Sequence, residues 1–222
     1  MFTGYTDQTV DVFWGIRFNN DRAWFAEHKQ EFQDAVMTPT KALAGELYDW
    51  FQENYPDLQL NVHISRIYRD ARRLHGNGPY KENLWFTLRC DSSRGPEIPA
   101  FYFEITPHNY SYGMGCYWAK ANTMACFRRA IDADPLPLTE LAECLNAQST
   151  FVLSGQDYVR PKGDPGALLS PWYNKRVLDL SCVRAHDDLL FSPALTDELV
   201  RGFGFLLPYY DYLEAVTRRE DA

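Results

Sequence analysis

Hydrophobic positions along the chain change period twice. Through the first 55 residues they recur at helical spacing: Val10, Phe13 and Ile16, then Trp24, Phe25, His28, Phe32, Ala35 and Val36, then Leu43, Leu47, Trp50 and Phe51. Steps of three and four place such residues on one side of an α-helix. Thr6 caps the first predicted helix, which ends at the turn formers Asn19 and Asn20, and Asp21 caps the second. Thr38-Pro39 repeats a cap and first-turn signal. It predicts a third helix, or a continuation of the second, to about Asn54, with Pro56 as the stop.

The middle of the chain alternates instead. Segments 62–69, 84–90, 101–106 and 110–118 are rich in aromatic and β-branched residues at period two, the signature of strands. Leu84, Phe86, Leu88 and Cys90 share one face, as do Phe101, Phe103 and Ile105. The reverse faces carry Trp85, Thr87 and Arg89, and Tyr102, Glu104 and Thr106. Pro107-His108-Asn109 is short enough for a hairpin. Gly113 and Gly115 mark a bulge or a close backbone approach in the strand that follows.

Helical spacing returns at 123–131 and 138–145, a short strand is predicted at 151–153, and the proline-rich stretch 160–172 reads as an ordered loop. Ser192-Pro193 opens a helical C-terminus that Gly202, Gly204 and Pro208 divide into two predicted helices. No repeat or linker splits the chain. The pattern predicts an α+β fold as a single domain over residues 1–222, with a central, mainly antiparallel sheet of about four to six strands flanked by N- and C-terminal helices.

Composition narrows the class. Fourteen Tyr, fourteen Phe and six Trp exclude a disordered chain, since each buries a large apolar area. No apolar run is long enough for a membrane span, and the first ten residues lack the basic start and apolar centre of a signal peptide. Cys90, Cys116, Cys126, Cys144 and Cys182 are odd in number and widely spaced, which fits reduced thiols and a cytoplasmic setting. Hydrolase elbows, zinc-protease motifs and phosphate loops are all missing, and the five histidines never reach metal-ligand spacing. Neither a metal nor a cofactor is expected.

The net charge of −8 disfavours nucleic acid and anionic lipid as bulk partners. The charge is uneven, however. Residues 62–94 carry +4, so the rest of the chain carries −12. Arg66, Arg69, Arg72, Arg73, His75 and Lys81 crowd this island next to Tyr68 and Tyr80. Guanidinium forks match phosphate and carboxylate oxygens, and a lysine adds a mobile point charge. Arg66, Tyr68, Arg69, Arg72, Tyr80 and Lys81 are therefore the candidate ligand-binding residues. The competing expectation pairs Arg66 and Arg69 with Asp70, Glu82 or Glu104 as structural salt bridges. Arg160, Lys162, Lys175 and Arg176 form a second basic group, and Arg160 and Lys162 join the candidate site if the loop bearing them folds over the sheet end near Lys81. Glu104 is the one acid nominated as a general base.

Several pieces together resemble a known family. Phe18-Asn19-Asn20-Asp21-Arg22-Ala23-Trp24-Phe25, the Arg66 to Arg72 run, Pro79-Tyr80-Lys81 and Arg160-Pro161-Lys162-Gly163 are similar, in order, to the domain of unknown function 2461 family of conserved hypothetical proteins. The resemblance extends from about residue 1 to 218. It departs at Arg73-Leu74-His75-Gly76-Asn77-Gly78, where the family carries an aromatic and a Lys- or Asp-containing stretch. That family lends no mechanism. Two functions remain open: a site for an anionic small molecule, phosphate or carboxylate, or a non-enzymatic module whose basic surface meets an acidic protein. Whether the protein is an enzyme, and its oligomeric state, stay open.

Overall fold

The computed structural model describes residues 1–70, 72, 78–90, 99–117 and 119–218, with side chains to residue 216. Arg73, Leu74, His75, Gly76 and Asn77, invoked above, and position 118 of the predicted strand 110–118 lie outside the described residues.

The N-terminal helices are α1 (Asp7–Phe18), α2 (Arg22–Glu27), α3 (Lys29–Phe32) and α4 (Thr38–Asn54). Thr6 caps α1, and Asp21 caps α2 by accepting from the Trp24 N–H at 2.9 Å. The predicted second helix is broken at His28, and the chain then runs through one wide π turn, Gln33–Met37, directly into α4. Of the two expectations for Thr38-Pro39, continuation is the one formed. Pro39 has no N–H for the carbonyl of Ala35, one turn back. The hydroxyl of Thr9 on α1 supplies that hydrogen bond at 2.7 Å, and the Thr38 and Thr40 hydroxyls serve Gln33 and Val36 at 2.9 and 2.7 Å. The wide turn thus keeps its carbonyls satisfied.

The strands are β1 (Leu60–Ile64), β2 (Leu84–Cys90), β3 (Ala100–Ile105), β4 (Asn109–Cys116), β5 (Val152–Ser154) and β6 (Leu178–Ala185). They form one antiparallel sheet in the order β1-β2-β3-β4-β6-β5. With the helices, this is an α+β fold. β3 and β4 make the predicted hairpin, with Thr106 N–H bonded to Asn109 O at 2.9 Å. β6 was not legible as a strand, although Leu178, Leu180 and Cys182 alternate and are buried. Gly113 and Gly115 on β4 are the predicted close approach. A Cβ on either would run into the β6 backbone, at the Leu180 and Leu178 carbonyls.

By contacts the chain divides into two compact units. The first comprises Met1–Leu88, Tyr102–Ser111 and Val183–Arg201, the second Arg89–Phe101, Tyr112–Cys182 and Gly202–Ala222. The first packs the apolar stripes of α1 and α4, with Phe13, Ile16, Leu43, Leu47 and Phe51, together with Tyr5, Phe86 and Phe103. The second contains α5 (Ala121–Ala133), α6 (Leu136–Asn146) and α7 (Ser170–Tyr173), and its core includes Phe101, Tyr112, Phe127, Phe151 and Tyr210.

The C-terminal helix corrects the sequence reading. α8 (Ala194–Arg218) is one helix with Pro208 inside it, not two. Pro208 has no N–H to donate to the carbonyl of Gly204, one turn back, so the helix forfeits that hydrogen bond. Gly202 is required for packing: a Cβ there would approach Tyr112 to 3.1 Å and Phe151 to 3.0 Å. Burial of Phe203, Leu206, Tyr210 and Leu213 offsets the hydrogen bond that Pro208 forfeits.

Candidate functional site

The site is built in the first unit where two chain segments run side by side beyond the end of β1. Ser65 N–H bonds to Trp85 O at 2.8 Å, Lys81 N–H to Ile67 O at 2.7 Å and Arg69 N–H to Pro79 O at 2.8 Å. Tyr68 and Tyr80 form an antiparallel bridge. The predicted strand 62–69 is therefore interrupted after Ile64, yet its pairing resumes along the candidate residues.

Asn20 clamps this pair of arms. Its side-chain oxygen accepts from the Tyr80 N–H at 2.9 Å, and its amide donates to the Tyr80 carbonyl at 3.0 Å, as a neighbouring strand would. Gly78 is needed beneath it, since a Cβ there would collide with the Asn20 side chain. Asn20 was read from sequence as a turn former alone. Its presence in the same motif set as Pro79-Tyr80-Lys81 was the available signal. Phe25 stacks on Tyr80 at 4.1 Å and meets Tyr68 edge-on at 6.2 Å, so α2 fixes the arms from below.

Arg66, Tyr68, Arg69 and Lys81 come together around an open cavity of about 360 Å³, joined by His63 and Trp85 from the less apolar faces of β1 and β2. Tyr68 is 55% exposed and presents its ring to this space. Tyr80 does not line the cavity; it is buried in the aromatic layer, and that burial raises its hydroxyl pKa. Arg72 is exposed, and its guanidinium grips Asp70 through two bonds of 3.0 and 3.2 Å. Asp70 also borders the cavity, so Arg72 offsets the one negative charge there.

The four cationic groups differ in how far they are already engaged. Arg69 donates Nε to Tyr80 O at 2.7 Å and lies 3.6 Å from Glu82, which also stands 3.7 Å from Arg17. That ion pair is one the sequence reading weighed as purely structural. Among the described residues, the side chains of Arg66 and Lys81 form no hydrogen bond or ion pair. The Lys81 ammonium is half-buried and sits 5.4 Å from the centre of the Trp85 ring. Desolvation lowers its pKa, the nearby Arg66 and Arg69 charges push it the same way, and Glu104 opposes them. Glu104 itself accepts a short bond from the Asn83 side chain and does not line the cavity.

Arg160 and Lys162 belong to the second unit. Arg160 is exposed. The Lys162 ammonium lies 4.6 Å from the Tyr158 ring centre, and its backbone N–H bonds to Asn174 Oδ1 at 2.6 Å. Lys175 is buried, bonded to Asp157 at 3.0 Å and to the Gly155 carbonyl at 3.1 Å. The stretch 160–172, read as a loop, runs into α7 at Ser170, and Asn174 donates to Gly163 O and Ser170 O.

Other chemistries find less support. Among the described residues no group of three His, Cys, Asp or Glu is placed to hold a metal, and no helix is long and apolar enough to cross a membrane. Among the described residues the cysteines form no disulfide; burial pushes the Cys116 thiol up to about 12, which keeps it protonated and unreactive.

A search among curated proteins finds no match to the chain. The family model described as conserved hypothetical protein (DUF2461) matches residues 8–212. That span holds the Asn20 clamp, both arms and every cation around the cavity, and the chain belongs to this family.

Proposed function

We propose that the protein binds an anionic small molecule, a phosphate or carboxylate compound, in the cavity lined by Arg66, Arg69, Lys81, Tyr68 and Trp85. The observation that carries this reading is that Arg66 and Lys81 line one concave space and, among the described residues, neither forms an ion pair with a carboxylate. Cations brought together in this way repel one another, and an anion relieves that repulsion. Arg69, oriented by the Tyr80 carbonyl, completes a set of donors suited to planar or tetrahedral oxyanions. Tyr68 and Trp85 offer faces for the remainder of the ligand. The volume suits a metabolite rather than a polymer. The uncrosslinked cysteines fit a reducing, cytoplasmic setting.

Calorimetric titration with inorganic phosphate, oxalate and citrate tests the site. At least one should bind, and Arg66→Ala should weaken it about tenfold, the equivalent of ~1.4 kcal/mol. Absence of binding by all three, or affinity untouched by Arg66→Ala, would remove this reading. Binding of acidic peptides in preference to all small anions would instead favour a protein-interaction surface.

A further inference from the structure

Lys81 is unusual among lysines that leave water. A withdrawn ammonium normally acquires a carboxylate or several carbonyl partners, because desolvating an unpaired charge is costly. Lys81 has neither among the described residues. The Trp85 ring centre lies 5.4 Å away, and three charges act on the ammonium: Glu104, which favours keeping the proton, and Arg66 and Arg69, which favour losing it. Burial and the two arginines lower its pKa in spite of Glu104, and a lysine so placed in a cavity gives up its proton more readily than one in water and can act as a nucleophile. The backbone bond from Lys81 N–H to Ile67 O and the Asn20 clamp on Tyr80 hold its backbone in place, and Lys81 lines the cavity that Arg66 and Arg69 border.

We propose that Lys81 is a carbonyl-reactive amine and that the cavity accepts a small oxo acid or phosphorylated aldehyde, whose anionic end is held by Arg66 and Arg69 while its carbonyl carbon meets the Lys81 nitrogen. The inference rests on the anion-binding reading and adds covalent chemistry to it. In the step, the lone pair of the neutral amine forms a C–N bond to the carbonyl carbon, and the carbonyl π electrons move to oxygen. The nitrogen gives up a proton and the oxygen gains one, leaving a carbinolamine. Protonation of its hydroxyl and loss of one water, pushed out by the nitrogen lone pair, yield the protonated imine. Nothing is oxidised or reduced, and hydrolysis returns the free amine and the carbonyl compound. The arginines select an anionic substrate, and their charge also favours the neutral amine that begins the reaction.

Glyoxylate, an aldehyde that carries a carboxylate, is the probe, with glycolaldehyde as a neutral counterpart of similar size. Each is incubated with the folded protein and cyanoborohydride at neutral pH, and adducts are mapped by peptide mass spectrometry. Lys29, Lys41, Lys120, Lys162 and Lys175 serve as internal controls. The expected result is a carboxymethyl adduct forming at Lys81 at least tenfold faster than at any control lysine. Inorganic phosphate or oxalate should suppress it, and glycolaldehyde should show no such preference. Lys81→Arg, which keeps the charge, should still bind the anion found by titration while losing the adduct. Anion binding with Lys81 no more reactive than the other lysines would overturn the imine proposal and leave the receptor standing. Loss of both would overturn the two together. Equal preference for the neutral aldehyde would overturn the assignment of an anionic substrate.

Discussion

Lys175 and Lys81 both leave water, one in each compact unit, and their surroundings differ. Lys175, 8% exposed, is tied to Asp157 and to the Gly155 carbonyl, and the loop around it is knitted by Asn174. Its charge is spent on holding the chain together. Lys81 forms no ion pair among the described residues; it has the Trp85 ring beside it and Glu104, Arg66 and Arg69 as the charges acting on it, in a concavity open to solvent. A residue composition that looks alike in the sequence, several Lys and Arg beside Tyr and Pro, thus produces a brace in one place and an unsatisfied site in the other. The distinction lies in whether an acid reaches each ammonium, and carboxylate reach depends on tertiary geometry.

The largest expected effect concerns what supports the unsatisfied site. Asn20→Ala removes two side-chain bonds to the backbone of Tyr80, a residue 4% exposed, and leaves its buried N–H without that partner. A loss of about 2–3 kcal/mol follows, which for a chain of this size lowers the melting temperature by roughly 5–10 °C. Anion affinity should fall with it, because the Tyr80 carbonyl also orients Arg69. Thermal melting and phosphate titration of one sample measure both. A variant that melts like wild type would mean that the clamp does not hold the arms.

Next comes the direct contrast. Lys175→Met deletes a charge-assisted bond to a carbonyl and a pair with Asp157, whose side chain is 64% exposed, so stability should fall by about 1–2 kcal/mol. Lys81→Met replaces a desolvated, unpartnered charge by an apolar side chain of similar length. It should leave stability unchanged or raise it by about 0.5–1 kcal/mol while weakening anion binding. Urea unfolding curves give the signs. If both variants lose stability equally, the two lysines are braces alike and the comparison fails.

These expectations also mark what the sequence could carry. Period and caps located most elements, because the stripes of α1 and α4 and the alternation of β2 and β3 are set by burial on one face. The misses have local causes. β6 reads Leu-Asp-Leu-Ser-Cys-Val-Arg-Ala, where polar residues on one side obscure a short apolar alternation after a loop. α8 contains breakers that its burial overrides. At the site, the candidate residues were visible as a basic run, and four of them do meet at one cavity: Arg66, Tyr68, Arg69 and Lys81. Their division of labour was not visible. Nothing in a string of residues says that Arg72 will fold back on Asp70, that Tyr80 will turn into the aromatic layer, or that Asn20, sixty positions away, will hold Tyr80 by both backbone groups.

The smallest effect is a dependence on pH, and it separates the two lysines most finely. The Lys81 pKa is lowered by desolvation first; Glu104 opposes this, and Arg66 and Arg69 add to the lowering. Between that lowered value and the ordinary lysine value, the unfolded chain holds a proton that the folded chain has released, so stability rises with pH across this window. Below the window both states are protonated and the full penalty persists; above it both are neutral and the penalty is gone. The stability difference between Lys81→Met and wild type should therefore be greatest at neutral pH and shrink as the solution becomes alkaline. Anion affinity of the wild type should decline over the same range, since the ammonium that attracts the anion is being lost. Urea midpoints and phosphate titrations taken at several alkaline pH values give the two curves. A flat stability difference would show that the Lys81 ammonium is as well solvated as any surface lysine, and the contrast with Lys175 would then rest on packing alone.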